Sequence, residues 1–170
     1  MGLRQSQPVS RRCCVAALAA VSLAGIAWPA AADEPPALSF VRDLYRREVD
    51  RHNNRTKMPN EAFTALFSSD MRALMQAPRS GLSDEPIGRI LHAFFGWGVR
   101  PGQPVTFVQA DSARGGSVER PAVRVVLDVH GARRDVLIRV LRENGLWKIS
   151  DIDYGDGESL REYYRRITRR

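Results

Sequence analysis

Beyond residue 35 the apolar positions of the chain fall into two regimes, one with a period near 3.6 and, from Val105 onward, one with a period of 2. In the first regime Phe40, Val41, Leu44, Tyr45 and Val49 recur at helical spacing, with Arg42, Asp43, Arg46, Arg47 and Asp50 between them. This predicts an amphipathic first helix, frayed at His52-Asn53-Asn54. Pro59-Asn60 opens a second, short helix carrying Phe63, Leu66 and Phe67, and a further turn presents Met71, Leu74 and Met75. After the Pro78 to Ser83 loop, Ile87, Ile90, Leu91, Phe94 and Phe95 repeat as i, i+3, i+4, i+7 and i+8. With Asp84 as cap and Gly96 as stop they predict a third helix, weakened by Gly88.

In the second regime Val105 to Ala110 reads as a strand and Asp111 to Pro121 as a loop. Val123, Val125, Leu127 and Val129 alternate with Arg124, Val126 and Asp128 as a half-buried strand. His130-Gly131-Ala132-Arg133 turns the chain into Val136, Ile138 and Val140, which alternate with Leu137, Arg139 and Leu141. Glu143-Asn144-Gly145 supplies a tight hairpin turn before a last strand, Leu146 to Ile152. Ser159 and Glu162 have the spacing of a capping box, and Leu160, Tyr163, Tyr164 and Ile167 form the stripe of a final helix. The pattern predicts an α+β fold: N-terminal helices packed on a curved antiparallel sheet of about four strands, closed by a C-terminal helix.

The N-terminus changes the picture by setting a compartment. Arg4, Arg11 and Arg12 stand without an acidic neighbour, Cys13 to Ala27 is apolar, small or Ser throughout, and Ala30-Ala31-Ala32 precedes Asp33. These are the three regions of a cleavable signal peptide. The stretch offers about 15 apolar residues where a membrane span takes ~20. The expected organisation is a removed signal peptide at 1–32, a leader at 33–38 and one domain at 39–170, in a periplasmic or secreted protein. The positions after Ser10-Arg11-Arg12 leave the export route open. Both cysteines, Cys13 and Cys14, lie in the removed piece, so the 138-residue mature chain relies on an ordinary core. Loss of three arginines lowers the formal charge from +7 to +4, and export makes nucleic acid an unexpected partner.

Phe40-Val41-Arg42-Asp43-Leu44-Tyr45, the run Gly145-Leu146-Trp147-Lys148-Ile149-Ser150-Asp151-Ile152, and Gly157-Glu158-Ser159-Leu160-Arg161 together resemble a family of exported bacterial domains of unknown function. That family lies in the nuclear transport factor-like (cystatin-like) α+β superfamily. The resemblance implies helices folded against a curved sheet around a cone-shaped cavity, which serves members as a binding pocket, an active site or filled core. Asp151-Ile152, Gly157, Ser159-Leu160 and Tyr164-Arg165 are also similar to the periplasmic phospholipid-shuttle family linked to solvent tolerance, whose related cavity holds acyl chains.

The cavity candidates are therefore Tyr45, Phe94, Trp97, Leu127, Ile138, Trp147, Asp151 and Tyr154. Trp147 reads first as a core residue clamping sheet to helix and second as a pocket wall. Trp97, in a Gly-Trp-Gly step, fits core and cavity mouth equally. An apolar tunnel is available from Phe94, Phe95, Val125, Leu127, Ile138 and Val140, which can equally close on one another as dry core. Asp151, Asp153, Asp156 and Glu162 sketch a calcium loop, but Asp156 stands where glycine is required and the segment follows a strand. His52, His92 and His130 show no metal-ligand spacing, and no nucleophile elbow appears. Neither metal nor cofactor is expected. Asp128, His130, Asp151 and Tyr154 can form an acid/base set only if the sheet brings them together. Arg161, Arg165, Arg166, Arg169 and Arg170 make the last helix basic, through dipole compensation and solvation or as a foothold on anionic lipid or a partner.

The leading expectation is a non-enzymatic module, monomeric or homodimeric, that binds a small apolar ligand or a protein partner at its helix-sheet cavity. The alternatives are a phospholipid carrier and an isomerase-like or hydrolase-like enzyme.

Overall fold

The computed structural model describes residues 34–78, 91–155 and 157–168. The expected signal peptide, the cap and first turns expected of the third helix (Asp84, Ile87, Gly88, Ile90), and Asp156, Arg169 and Arg170 lie outside these residues.

Helix α1 (Pro36–Asn53) starts on a proline, whose missing N–H costs nothing in the first turn, and buries Val41, Leu44, Tyr45, Glu48 and Val49 on one face. Its C-terminal carbonyls are taken up by the chain that follows: Asn54 N donates to Asp50 O, Arg55 N to His52 O and Thr56 N to Arg51 O. Helix α2 (Asn60–Ala65) and helix α3 (Ser69–Gln76) follow, α3 being capped by the Ser68 hydroxyl, which accepts from Met71 N at 3.3 Å.

The third helix expected around Leu91–Phe95 is absent from the described part of that segment. Leu91–His92 (β1) and Gly96–Trp97 (β2) instead form a small antiparallel hairpin. Partners outside the segment hold the hairpin: Tyr45 donates to Phe94 O at 3.0 Å and Tyr154 to Ala93 O at 2.7 Å, while Gly96 and Gly98, at φ of 85° and 74°, let the chain turn on either side of Trp97.

Strands β3 (Val105–Ser112), β4 (Ala122–Val129), β5 (Ala132–Glu143) and β6 (Leu146–Asp153) make an antiparallel meander in the order β3-β4-β5-β6. Both tight turns have two residues at positive φ, His130-Gly131 (53° and 83°) and Asn144-Gly145 (51° and 79°), the requirement of a type I′ hairpin whose twist matches the strands. The first turn is thus shorter than expected, and β5 begins at Ala132. Bulges at Phe107/Gln109 and Arg139/Val140 bend the sheet. Its edges are covered locally. Phe67 pairs with Ile149 beside β6, and the Asn53 side-chain amide exchanges two bonds with the Val105 backbone on β3, at 2.8 and 3.1 Å.

Helix α4 (Leu160–Thr168) opens on the expected capping box, with Ser159 N donating to Glu162 Oε2 at 2.8 Å and Glu162 N to Ser159 Oγ at 3.3 Å. The core between helices and sheet joins Val41, Leu44, Tyr45, Phe67, Met71, Phe95, Val125, Leu127, Ile138, Ile149, Ile152 and Leu160. Val126, expected on the solvated face, is buried as well but outside this cluster. Among the described residues no helix is long and apolar enough to cross a membrane.

Candidate functional site

The apolar stripe of α1 carries two residues that do not belong in a purely structural face. Positions 41, 44, 45, 48, 49 and 52 share one side of the helix, and the last turns of that side are Glu48 and His52. Glu48 is only 6% exposed. Burial pushes its carboxyl above the usual carboxylate range, and the paired Arg51 guanidinium partly opposes that shift.

The β1–β2 hairpin brings a third such group, His92, to the same place. Its ring stacks on Phe95 at 4.3 Å and 13°, and meets His52 edge-on at 5.3 Å. His52 Nε2 lies 2.9 Å from the Gln103 carbonyl, which fixes that nitrogen as the protonated one. His92 Nδ1 accepts from Phe94 N at 3.3 Å, which leaves its Nε2–H as a donor. Burial, with a smaller contribution from His52, pulls the His92 imidazole down to about 4, so it is neutral near pH 7. The hairpin is held rigidly, for besides the two tyrosine contacts Arg134 Nη1 donates to Trp97 O at 2.7 Å.

Between the C-terminal half of α1, the 55–60 connection and this hairpin lies a cleft of about 460 Å³. Its floor is apolar, from Met58, Phe63, Leu91 and Phe94, while Glu48, His52 and His92 enter its wall and Arg51, Arg55 and Lys57 its rim. A depression of about 590 Å³ between α1 and β3 is shallower in chemistry: it is more polar, and Arg46 lies over its Phe107 ring at 5.5 Å. The cleft is therefore the candidate site, its volume falling in the ~300–1,000 Å³ range of small-molecule pockets.

Of the eight cavity candidates, Phe94 lines this cleft. Tyr45, Leu127 and Ile138 are packed in the core with no exposed area to speak of. Burial and nearby Glu48 push the Tyr45 phenol far above its ordinary range, so it serves as a neutral donor. Trp97 is half-buried and meets Tyr163 edge-on at 5.6 Å. Tyr154 packs against Gly96 and donates to Ala93 O. Trp147 is half-buried rather than fully core. Arg142 lies 5.4 Å over its ring, and it borders an open pocket of about 460 Å³ with Val118 and Glu119. Asp151 is occupied at the start of α4, where its Oδ1 accepts from Ile152 N and Arg161 N at 2.8 and 2.9 Å.

The Asp128, His130, Asp151 and Tyr154 set is not assembled. Asp128 pairs with Arg133 and Asp151 with Arg139 on β5, so six residues of extended strand, roughly 20 Å, separate them. Asp128 instead closes its own turn, accepting from Gly131 N at 2.7 Å. In the calcium sketch, Asp153 accepts from Gly155 N and Glu162 completes the cap. Among the described residues no group of three or more His, Asp or Glu side chains is placed to hold a metal. Arg161 is tied to β6, its Nη2 donating to Ser150 O at 2.7 Å, and Arg166 pairs with Glu158 at 2.8 Å, whereas Arg165 is exposed.

No family model matches the chain, and no curated protein matches it. Among solved structures it is similar to the phospholipid-binding protein from Ralstonia solanacearum in complex with a phospholipid, at 25% identity over 38% of this chain and with a TM-score of 0.28. The match spans 34% of that protein, about a third of its length, and a likeness of this extent carries no argument about ligand.

Proposed function

We propose that the chain is an exported binding module that takes a small apolar ligand in the cleft between α1 and the β1–β2 hairpin. The observation that supports it is a cleft beside the core with an apolar floor, the partly buried Phe63 and Leu91 over the buried Phe94, flanked by a few convergent polar groups. Export is supported by the residues from Arg4 to Ala32, and the mature chain starts at Asp33 in this reading. Membership in the nuclear transport factor-like superfamily is supported by the four-stranded meander with helices on one face.

The test is titration of the purified protein with 1-N-phenylnaphthylamine, a neutral apolar fluorophore. Saturable enhancement is expected, with loss of at least tenfold in affinity in Phe63→Glu, whose charge falls on the floor. Absence of saturable binding, or binding that Phe63→Glu leaves unchanged, sinks the reading.

A further inference from the structure

We infer that the ligand of this cleft is an amphiphile with one apolar chain and a single anionic head, the head being held by Arg55 and Lys57. The inference rests on the proposed binding role of the cleft and adds the charge of what it takes. Arg55 and Lys57 both line the cleft and are both exposed, and no carboxylate among the described residues forms a salt bridge with either.

The acidic residue among the described lining, Glu48, is already answered by Arg51, so the rim carries two surplus positive charges. The ordinary structural use of cations at a helix C-terminus is to satisfy its last carbonyls. Here backbone amides of Asn54, Arg55 and Thr56 do that work, which leaves the two side chains free of it.

Arg55 also sits at φ 56°, a left-handed value where glycine or asparagine is the unstrained choice. Its guanidinium lies over Gly102, where a Cβ would stand 3.1 Å from Nη2, so the absence of a side chain at Gly102 leaves room for the cation at the cleft edge. Within the wall, the His92 Nε2–H adds a neutral donor and no negative charge. An apolar chain on Phe63, Leu91 and Phe94 thus has its head directed to a rim that repels cations and stabilises anions.

The test is displacement of 1-N-phenylnaphthylamine from the full protein by decanoate, decyl phosphate, decanol and decylammonium at low salt. At least one anion is expected to compete tenfold or more better than decanol, and which of the two leads names the head. In the Arg55→Gln/Lys57→Gln protein that advantage should fall to within threefold while decanol is unchanged, and 0.5 M salt should shrink it in the wild type. Equal competition by decanol and both anions, preference for decylammonium, or an anion advantage that survives the double substitution overturns the inference while leaving the apolar site standing. Failure of the fluorophore itself to bind is the separate outcome that removes the site.

Discussion

The Tyr45 hydroxyl donates to the main-chain carbonyl of Phe94 across 49 residues of sequence, at 3.0 Å, with Tyr45 fully buried. The two rings also meet edge-on at 6.0 Å. This one pair fixes the hairpin that forms one side of the cleft to the helix that forms the other. Tyr45→Phe keeps the ring and removes the donor, leaving the Phe94 carbonyl unpaired in the core. The expected loss is about 1–3 kcal/mol in denaturant unfolding, together with weaker fluorophore binding as the hairpin loosens. A loss below about 0.5 kcal/mol would mean the bond does not hold the hairpin.

His92 gives the protein a signed response to pH. Its imidazole takes a proton near 6.5 when unfolded and at about 4 when folded, so between those values the unfolded state binds more protons. Stability therefore falls as pH drops from about 6.5 to about 4, by up to ~3 kcal/mol, and the loss is complete below that window. Glu48 acts in the opposite sense above 4.5, since its raised folded value makes the folded state hold a proton longer. Comparison with His92→Phe isolates the imidazole. The variant is expected to lose the extra acid sensitivity of the wild type between pH 6.5 and 4, and parallel stability curves would show that His92 is not buried as described.

What the sequence made legible follows from which physical signals are local. The period-2 runs at Val123–Val129 and Val136–Val140, the Asn144-Gly145 turn and the Ser159/Glu162 cap all depend on residues within a few positions of each other, and all are found. The apolar spacing of Leu91–Phe95 fits 3.6 and predicts a helix where the chain forms a hairpin. Bonds from Tyr45, Arg134 and Tyr154, 37 to 61 positions away, decide otherwise. The cleft is not legible in local spacing for the same reason, as one of its walls is that hairpin. A signal was nevertheless present, since Glu48 and His52 continue the apolar stripe of α1 where solvated residues do not belong.

Two glycines of the hairpin separate backbone strain from crowding. Gly96 and Gly98 both have positive φ, so Ala at either costs about 1 kcal/mol in strain alone. At Gly98 nothing lies within 4 Å of the added Cβ, whereas at Gly96 it meets Tyr154 Cδ1 at 3.1 Å and Cγ at 3.3 Å. Displacing Tyr154 endangers its bond to Ala93 O. Gly96→Ala should therefore be the more destabilising by about 1–2 kcal/mol, read from paired unfolding curves. Equal losses would mean that Tyr154 yields freely and does not brace the hairpin.

Trp147 distinguishes a clamp from a wall. Full burial would put Trp147→Ala at ~3–5 kcal/mol. The ring is instead half-buried beside an open pocket, with a cation over one face and its buried Nε1 lacking a partner among the described residues. An unpaired donor detracts from what the ring's packing contributes, so about 1–3 kcal/mol is expected. A loss above 4 kcal/mol would restore the clamp.

The carrier alternative turns on whether an acyl chain has anywhere to go besides the cleft. A chain of ~16 methylenes, at up to ~0.8 kcal/mol for each one buried, stays with a protein through purification only when it lies in a continuous apolar tunnel. The side chains that sequence offered for such a tunnel, Val125, Leu127, Ile138 and Val140, are all at 0% exposure in one core cluster. Phe95 is closed in with them, and Phe94 alone of the six borders the cleft, itself only 2% exposed. Gently purified protein should accordingly show no stoichiometric phospholipid in native mass spectrometry. Ile138→Trp tests the same closure from the other side. In a filled core the larger ring has no room and should cost about 1–3 kcal/mol of stability or more. A bound phospholipid that this substitution displaces, with stability kept, would instead reveal a tunnel and make the carrier the better reading.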